Sequence, residues 1–113
     1  MSSADYVPRR GDLVWISLDP RLGQEQSGRR PAVVLSPESY NAKVGLALFC
    51  PVTSQIKGYP WEVVLPGGLA ISGAVLSDQV KSLDWRSRRA EFAGALPDSA
   101  IREILGKLEA LIR

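Results

Sequence analysis

Short apolar, β-branched runs, broken at close intervals by proline and glycine, leave this chain of 113 residues little choice of architecture. Asp12 to Leu18 has the composition of a strand, and Asp19-Pro20 ends it. Pro31 to Leu35 is a continuous apolar run bounded by Pro31 and by Ser36-Pro37, as a buried strand should be. Ser36 to Asn41 reads as a turn or short helix, Leu46 to Thr53 as a third strand, and Trp61 to Leu65 as a fourth, closed by Pro66-Gly67-Gly68. Gly73 to Leu76, Val80 to Leu83 and Glu91 to Ala95 are shorter strand candidates. Strands this short and this closely spaced predict a small antiparallel barrel or sandwich. The period then changes. Ile101, Ile104, Leu105, Leu108, Leu111 and Ile112 follow the i, i+3, i+4, i+7 spacing of an amphipathic helix opened by Pro97 and Asp98. That helix is expected to lay its stripe against the barrel, giving an α+β, mainly β fold.

A chain of this length is expected to form one domain, burying roughly 65% of its unfolded surface. Its apolar and charged fractions, 45% and 23%, are ordinary for a soluble globular protein. No apolar run approaches the ~18 residues that span a bilayer, and the N-terminus lacks the basic and apolar regions of a signal peptide. The expectation is a cytoplasmic protein with no membrane partner. Cys50, the one cysteine, cannot form an internal disulfide and lies in the apolar run Leu46-Ala47-Leu48-Phe49-Cys50, so it is expected to be a small core residue. There is no histidine. This removes the commonest general base and metal ligand, along with any Ser-His or Cys-His nucleophile pair, so no metal or other cofactor is expected.

The net charge of +2 is too small to mark a nucleic-acid binder by itself. Distribution matters more. Basic residues cluster at Arg9-Arg10, Arg29-Arg30 and Arg86 with Arg88-Arg89, with Lys57 and Lys81 between them in sequence. The loop Gly23-Gln24-Glu25-Gln26-Ser27-Gly28-Arg29-Arg30-Pro31 places an acid and two guanidiniums just before a buried strand. A guanidinium donates paired hydrogen bonds and stays charged, so the loop suggests a phosphate-bearing partner.

Several dispersed segments together resemble the MazF/PemK-type toxins of bacterial toxin–antitoxin pairs. They are Tyr6-Val7-Pro8, Gly11-Asp12-Leu13-Val14-Trp15, Asp19-Pro20, Gly23 to Leu35, Thr53-Ser54-Gln55-Ile56-Lys57-Gly58-Tyr59-Pro60 and Ser77-Asp78-Gln79-Val80-Lys81-Ser82. The resemblance spans nearly the whole chain. It implies an SH3-like barrel with a C-terminal helix, and an endoribonuclease that cuts single-stranded RNA at short sequences without a metal. It also implies a homodimer and inhibition by a MazE-like protein antitoxin. CcdB-like gyrase poisons share the barrel, but they depend on a Trp-Gly-Ile end, whereas this chain ends Leu111-Ile112-Arg113. A non-catalytic RNA-binding barrel is the third reading.

Metal-free cleavage uses the neighbouring 2′-hydroxyl as nucleophile. It needs a base, a donor for the leaving oxygen, and cations for the phosphorane charge. Arg30 aligns with the family's catalytic arginine and is expected to stabilise the scissile phosphate, since a group with pKa above ~12 is a poor proton acceptor. Thr53 matches the family threonine and could bind or protonate a phosphate oxygen. Ser54 offers the same group on the opposite side of the strand. Glu25 could be the general base, or could hold Arg29 or Arg30 by an ion pair. Arg29 is expected to add RNA affinity and Lys57 a phosphate contact. Gln55, Asp78 and Gln79 are candidate backbone or base contacts, with a turn or structural hydrogen bond as the alternative for Asp78. Trp15 is expected to be buried, while Trp61 and Trp85 could stack on bases or line a dimer or antitoxin interface.

Overall fold

The computed structural model describes residues 5–17 and 28–113. The strands are β1 (Asp12–Ser17), β2 (Arg29–Val34), β3 (Leu46–Thr53), β4 (Glu62–Val64), β5 (Ala74–Leu76), β6 (Lys81–Asp84) and β7 (Glu91–Ala95). Two helices, α1 (Glu38–Val44) and α2 (Asp98–Ile112), complete the order. The strands form one curved antiparallel sheet in the order β4-β5-β3-β2-β1-β7, with β6 also paired to β3. Among the described residues β4 and β7 do not pair, so the barrel stays open at that seam.

Alternation along the three central strands builds two cores, one on each side of the sheet. Leu13, Val33, Cys50 and Val52 join Val75 and Ile104 in the first. Their immediate neighbours Val14, Val34 and Phe49 join Ile16, Ala32 and Trp85 in the second. Strands covered on both sides read as continuous apolar runs, which is why these three stand out in the sequence.

The strand after the arginine pair begins at Arg29 rather than at Pro31, because Arg29 and Arg30 pair with Ser17 and Ile16 of β1. Trp15, expected in the core, is 38% exposed. It shares Leu13's face but lies beyond the end of that core, where its cross-strand neighbours are Pro31 and Glu91. The stripe of α2 is covered at Ala100 and Ile104 and partly at Ile101, Leu105 and Leu108, then runs out, leaving Leu111 and Ile112 exposed.

Proline governs where β3 changes partners. The N–H of Leu35 donates to the Leu48 carbonyl, so Leu35, Val33 and Pro31 direct their backbone groups at β3, in the register that pairs Val33 with Cys50. Pro31 has no N–H to offer Val52, and the β2–β3 register ends at Ala32 opposite Pro51. Pro51 points its missing donor the other way, toward β6 and β5. It falls between Phe49, which pairs with Lys81 of β6, and Thr53, which pairs with Ala74 of β5. β3 therefore leaves β2 and β6 at the same place and continues with β5. Gly73 makes the new pairing feasible, since at φ 130° a Cβ there would lie 2.1 Å from the Thr53 carbonyl oxygen.

Asn41, fully buried, ties the surrounding segments together. Its Nδ2 donates to the carbonyls of Pro8 (2.8 Å) and Ser36 (3.0 Å), and its Oδ1 accepts from the Ser36 hydroxyl at 2.6 Å. Its carbonyl receives the Trp85 indole N–H (3.0 Å) and the N–H of Gly45, whose left-handed φ of 81° ends α1. Asn41→Ala leaves the Pro8 carbonyl and the Ser36 hydroxyl without that partner in the interior. We expect it to lower the unfolding free energy by about 3 kcal/mol, read as a reduced urea midpoint.

Candidate active site

The parting of β2 and β3 sets the site's geometry. Carried two residues past Ala32 and Pro51, the same register places Arg30 opposite Thr53, where the two strands no longer pair. Arg30 is exposed, and its Nη1 donates to the Arg29 carbonyl at 3.0 Å. Thr53 closes β3, and its Oγ1 accepts the N–H of Gln55 at 3.1 Å. With one lone pair so occupied, the hydroxyl keeps its proton as a donor for the cleft.

Beyond Thr53 opens a cleft of about 460 Å³. Thr53, Gln55, Lys57 and Gln79 line it, together with Tyr59 and Glu62. The exposed Ser54 and Arg30 are not among its lining residues. Three ties brace the segment from Ser54 to Trp61. The Glu62 carboxylate accepts the N–H groups of Lys57 (3.1 Å) and Gly58 (3.0 Å), where Gly58 takes a left-handed φ of 76°. The Tyr59 hydroxyl donates to Asp78 Oδ2. Lys107 of α2 donates to the Pro60 carbonyl at 2.7 Å.

Asp78 is placed differently from the base-reading expectation. One of its oxygens accepts from Tyr59, the other is buried and has no hydrogen-bond partner, and the residue is not among those lining the cleft. That bond also holds the Tyr59 phenol above its ordinary pKa. Burial, with Asp78 nearby, pushes the Cys50 thiol up to about 12, which leaves it an unionised core residue at neutral pH.

Arg29, expected to add RNA affinity, is largely engaged within the protein. Only 19% of its side chain is exposed. Its guanidinium donates to the Ser17 hydroxyl and the Arg88 carbonyl at 3.2 Å each, to the Trp15 carbonyl at 3.3 Å and to Glu91 at 3.4 Å. Strand alternation separates it from Arg30, so one arginine straps β1 to β7 while its neighbour faces outward. Glu25 lies outside the described residues.

The basic clusters do not all meet. Arg9 and Arg10 line a separate cavity of about 830 Å³ between the N-terminal segment, β7 and the start of α2, and among the described residues none of the predicted site residues lines it. Its polar groups are largely paired internally: Tyr6 donates to Asp12 at 2.7 Å, and Arg9 approaches Glu38 at 3.7 Å. Trp85 is buried beneath Arg86, whose guanidinium lies 4.4 Å from the ring centroid, while Trp61 is half-buried with its carbonyl accepting from Ser77. Sequence reasoning missed Tyr59 and Glu62 as members of the cleft. Tyr59 lies within the family-resembling segment Thr53 to Pro60, and the Gly58 turn is the further local signal for both.

An open antiparallel barrel, with a threonine and an arginine where two strands part and a polar cleft beside them, is the kind of arrangement that the resemblance to MazF/PemK-type toxins implies. A model of the PemK-like, MazF-like toxin of type II toxin–antitoxin systems matches residues 9–112, and the chain belongs to that family. It is 50% identical over 107 residues to the endoribonuclease toxin MazF of Escherichia coli K12, covering 95% of this chain and 96% of that one. It is 56% identical to a crystal structure of MazF from Deinococcus radiodurans, with a TM-score of 0.86 and coverage of 96% and 98%. A MazE–MazF complex from the same organism matches at 52% identity and a TM-score of 0.86, covering 96% of this chain and 97% of that one.

If Arg29 is a strap, its loss should be felt in stability. We expect Arg29→Ala to lower the unfolding free energy by about 1–2 kcal/mol, with Arg30→Ala nearly neutral in the same urea titration.

Proposed function

We infer that this chain is the endoribonuclease toxin of a type II toxin–antitoxin pair, cutting single-stranded RNA such as mRNA in the cytoplasm. It acts as a homodimer of single-domain chains and is held inactive by a MazE-like antitoxin. The observation that carries this reading is the placement of Arg30 and Thr53 at the mouth between β2 and β3, beside the Lys57 cleft, in a chain of the MazF-like family. An antitoxin segment of acidic character would be drawn to the same cations and compete with RNA.

In the proposed reaction the 2′-oxygen bonds to phosphorus and the bond from phosphorus to the 5′-oxygen breaks. The products are a 2′,3′-cyclic phosphate and a free 5′-hydroxyl. Arg30 neutralises charge on the non-bridging oxygens as the phosphorane forms, a task suited to a permanently charged fork. Thr53 donates to a phosphate oxygen with the proton that its bond from Gln55 leaves available. Glu25 accepts the 2′-hydroxyl proton, and the departing 5′-oxygen takes a proton from solvent water. Lys57 holds a flanking phosphate, and Gln55 and Gln79 offer amides to base edges. Ser54, exposed at the strand's end, contacts the RNA backbone as it enters.

Incubation with a long RNA in excess EDTA tests the reading. We expect discrete fragments ending in cyclic phosphate from the wild-type protein. Arg30→Ala should cut roughly 10²- to 10³-fold more slowly while remaining folded. Near wild-type cutting by that variant would remove Arg30 from the chemistry.

The base assignment has its own test in the rate–pH profile of cleavage. With Glu25 as base the wild-type rate falls on the acid side as the carboxylate protonates, and Glu25→Gln abolishes that limb. An unchanged limb in the variant would make Glu25 an ion-pair partner instead.

A further inference from the structure

Tyr59 is 43% exposed, yet its hydroxyl is fixed to Asp78, and the residue lines the cleft. A large ring left in water is ordinarily mobile, but this one is held from several directions. The phenol is tied to Asp78, and the neighbouring Pro60 carbonyl accepts from Lys107. The backbone on either side is fixed as well: Glu62 donates its N–H to the Tyr59 carbonyl at 3.0 Å and takes the N–H of Gly58 on its carboxylate. A held aromatic residue thus shares the lining of the cleft with Gln55, Gln79 and Lys57. Single-stranded RNA grooves combine these three kinds of contact: an aromatic face for a base, hydrogen-bonding groups for its edge, and a cation for the phosphate. None of the chain's three tryptophans provides the plane here, since Trp85 is buried, Trp15 sits beside Pro31 and Glu91, and Trp61 does not line the cleft.

We propose that Tyr59 is the stacking platform for one base of the RNA, with Asp78 as the positioning residue that sets its ring across the cleft. The proposal rests on the reading of this cleft as the RNA path. Fixing the ring in advance removes the entropy cost of ordering it when a base arrives. It also assigns Asp78 a use its geometry permits, because one of its oxygens holds the phenol, the other is buried, and the residue does not line the cleft.

The test is binding of a short single-stranded oligonucleotide spanning a mapped cleavage site, with 2′-deoxyribose at the scissile position to block cutting, titrated at several salt concentrations. Tyr59→Leu should weaken binding by roughly 5- to 100-fold at every salt, the range a stacked base is worth, with the slope of log K against log salt unchanged. Tyr59→Trp, which keeps a flat ring, should bind within a few-fold of wild type. Lys57→Ala should behave oppositely to Tyr59→Leu, lowering the slope by roughly 0.7, as loss of one phosphate contact does on a single strand. Asp78→Asn, which keeps an acceptor for the phenol, should restore most of what Asp78→Ala loses. Wild-type affinity in a folded Tyr59→Leu, or a fall in its salt slope, overturns the stacking role.

Should Tyr59→Leu fail to fold, 2-aminopurine placed in turn at each oligonucleotide position reads the wild-type protein directly. One position should be quenched on binding, and that quenching should be lost in Tyr59→Ser; quenching at no position overturns the proposal. A wild-type protein that cuts RNA while Tyr59→Leu binds normally refutes the platform alone. A wild-type protein that neither cuts nor binds RNA refutes the parent reading as well.

Discussion

Pro31 has no N–H, and in the β2–β3 ladder that is the donor that would reach Val52. A ladder deprived of a bond at its end is free to part, and here it parts where Arg30 and Thr53 would otherwise have faced each other as a pair. Pro51 removes a donor from the other edge of β3, so the strand's second ladder also breaks and resumes on β5. Both proline effects are local and chemical. Their joint result is a gap in a sheet that would otherwise have carried its pairing straight through, with a hydroxyl and a guanidinium on its two sides. The cleft then follows, because the chain leaving Thr53 must cross from β3 to β4 without a ladder and is braced by side chains instead.

Those braces explain what could and could not be read in the sequence. β3 and β7 lie at the bounds their composition predicts, since Leu46 to Thr53 and Glu91 to Ala95 are each flanked by turn residues. The start of β2 is earlier than the apolar run suggests, because pairing with β1 asks only for backbone groups, and Arg29 and Arg30 supply them as well as valine would. The different fates of these two arginines follow from alternation, which can be applied only once they are known to lie on a strand. Tyr59 and Asp78 are 19 residues apart and Lys107 and Pro60 are 47 apart, so no local pattern connects them. Asn41 was legible only as part of a turn or short helix. Its role depends on Pro8 and Trp85 arriving from opposite ends of the chain.

A net charge of +2 is modest for a protein proposed to act on a polyanion, and the cleft contains or adjoins two carboxylates as well. Unpaired, Glu62 and Asp78 would repel a phosphate backbone across a distance shorter than the screening length of roughly 8 Å at physiological salt. Each is instead spent on the protein itself. Glu62 accepts two backbone N–H groups and Asp78 accepts the Tyr59 hydroxyl. A carboxylate that accepts such donors presents less of its field outward, because the donor dipoles oppose it. The two acids therefore convert a potential electrostatic liability into rigidity for the segment that carries Lys57 and Tyr59. Charge in this cleft is arranged locally, which is what the proposed binding of RNA by a nearly neutral chain requires. The cations do not have to outweigh the acids in number when the acids are already engaged.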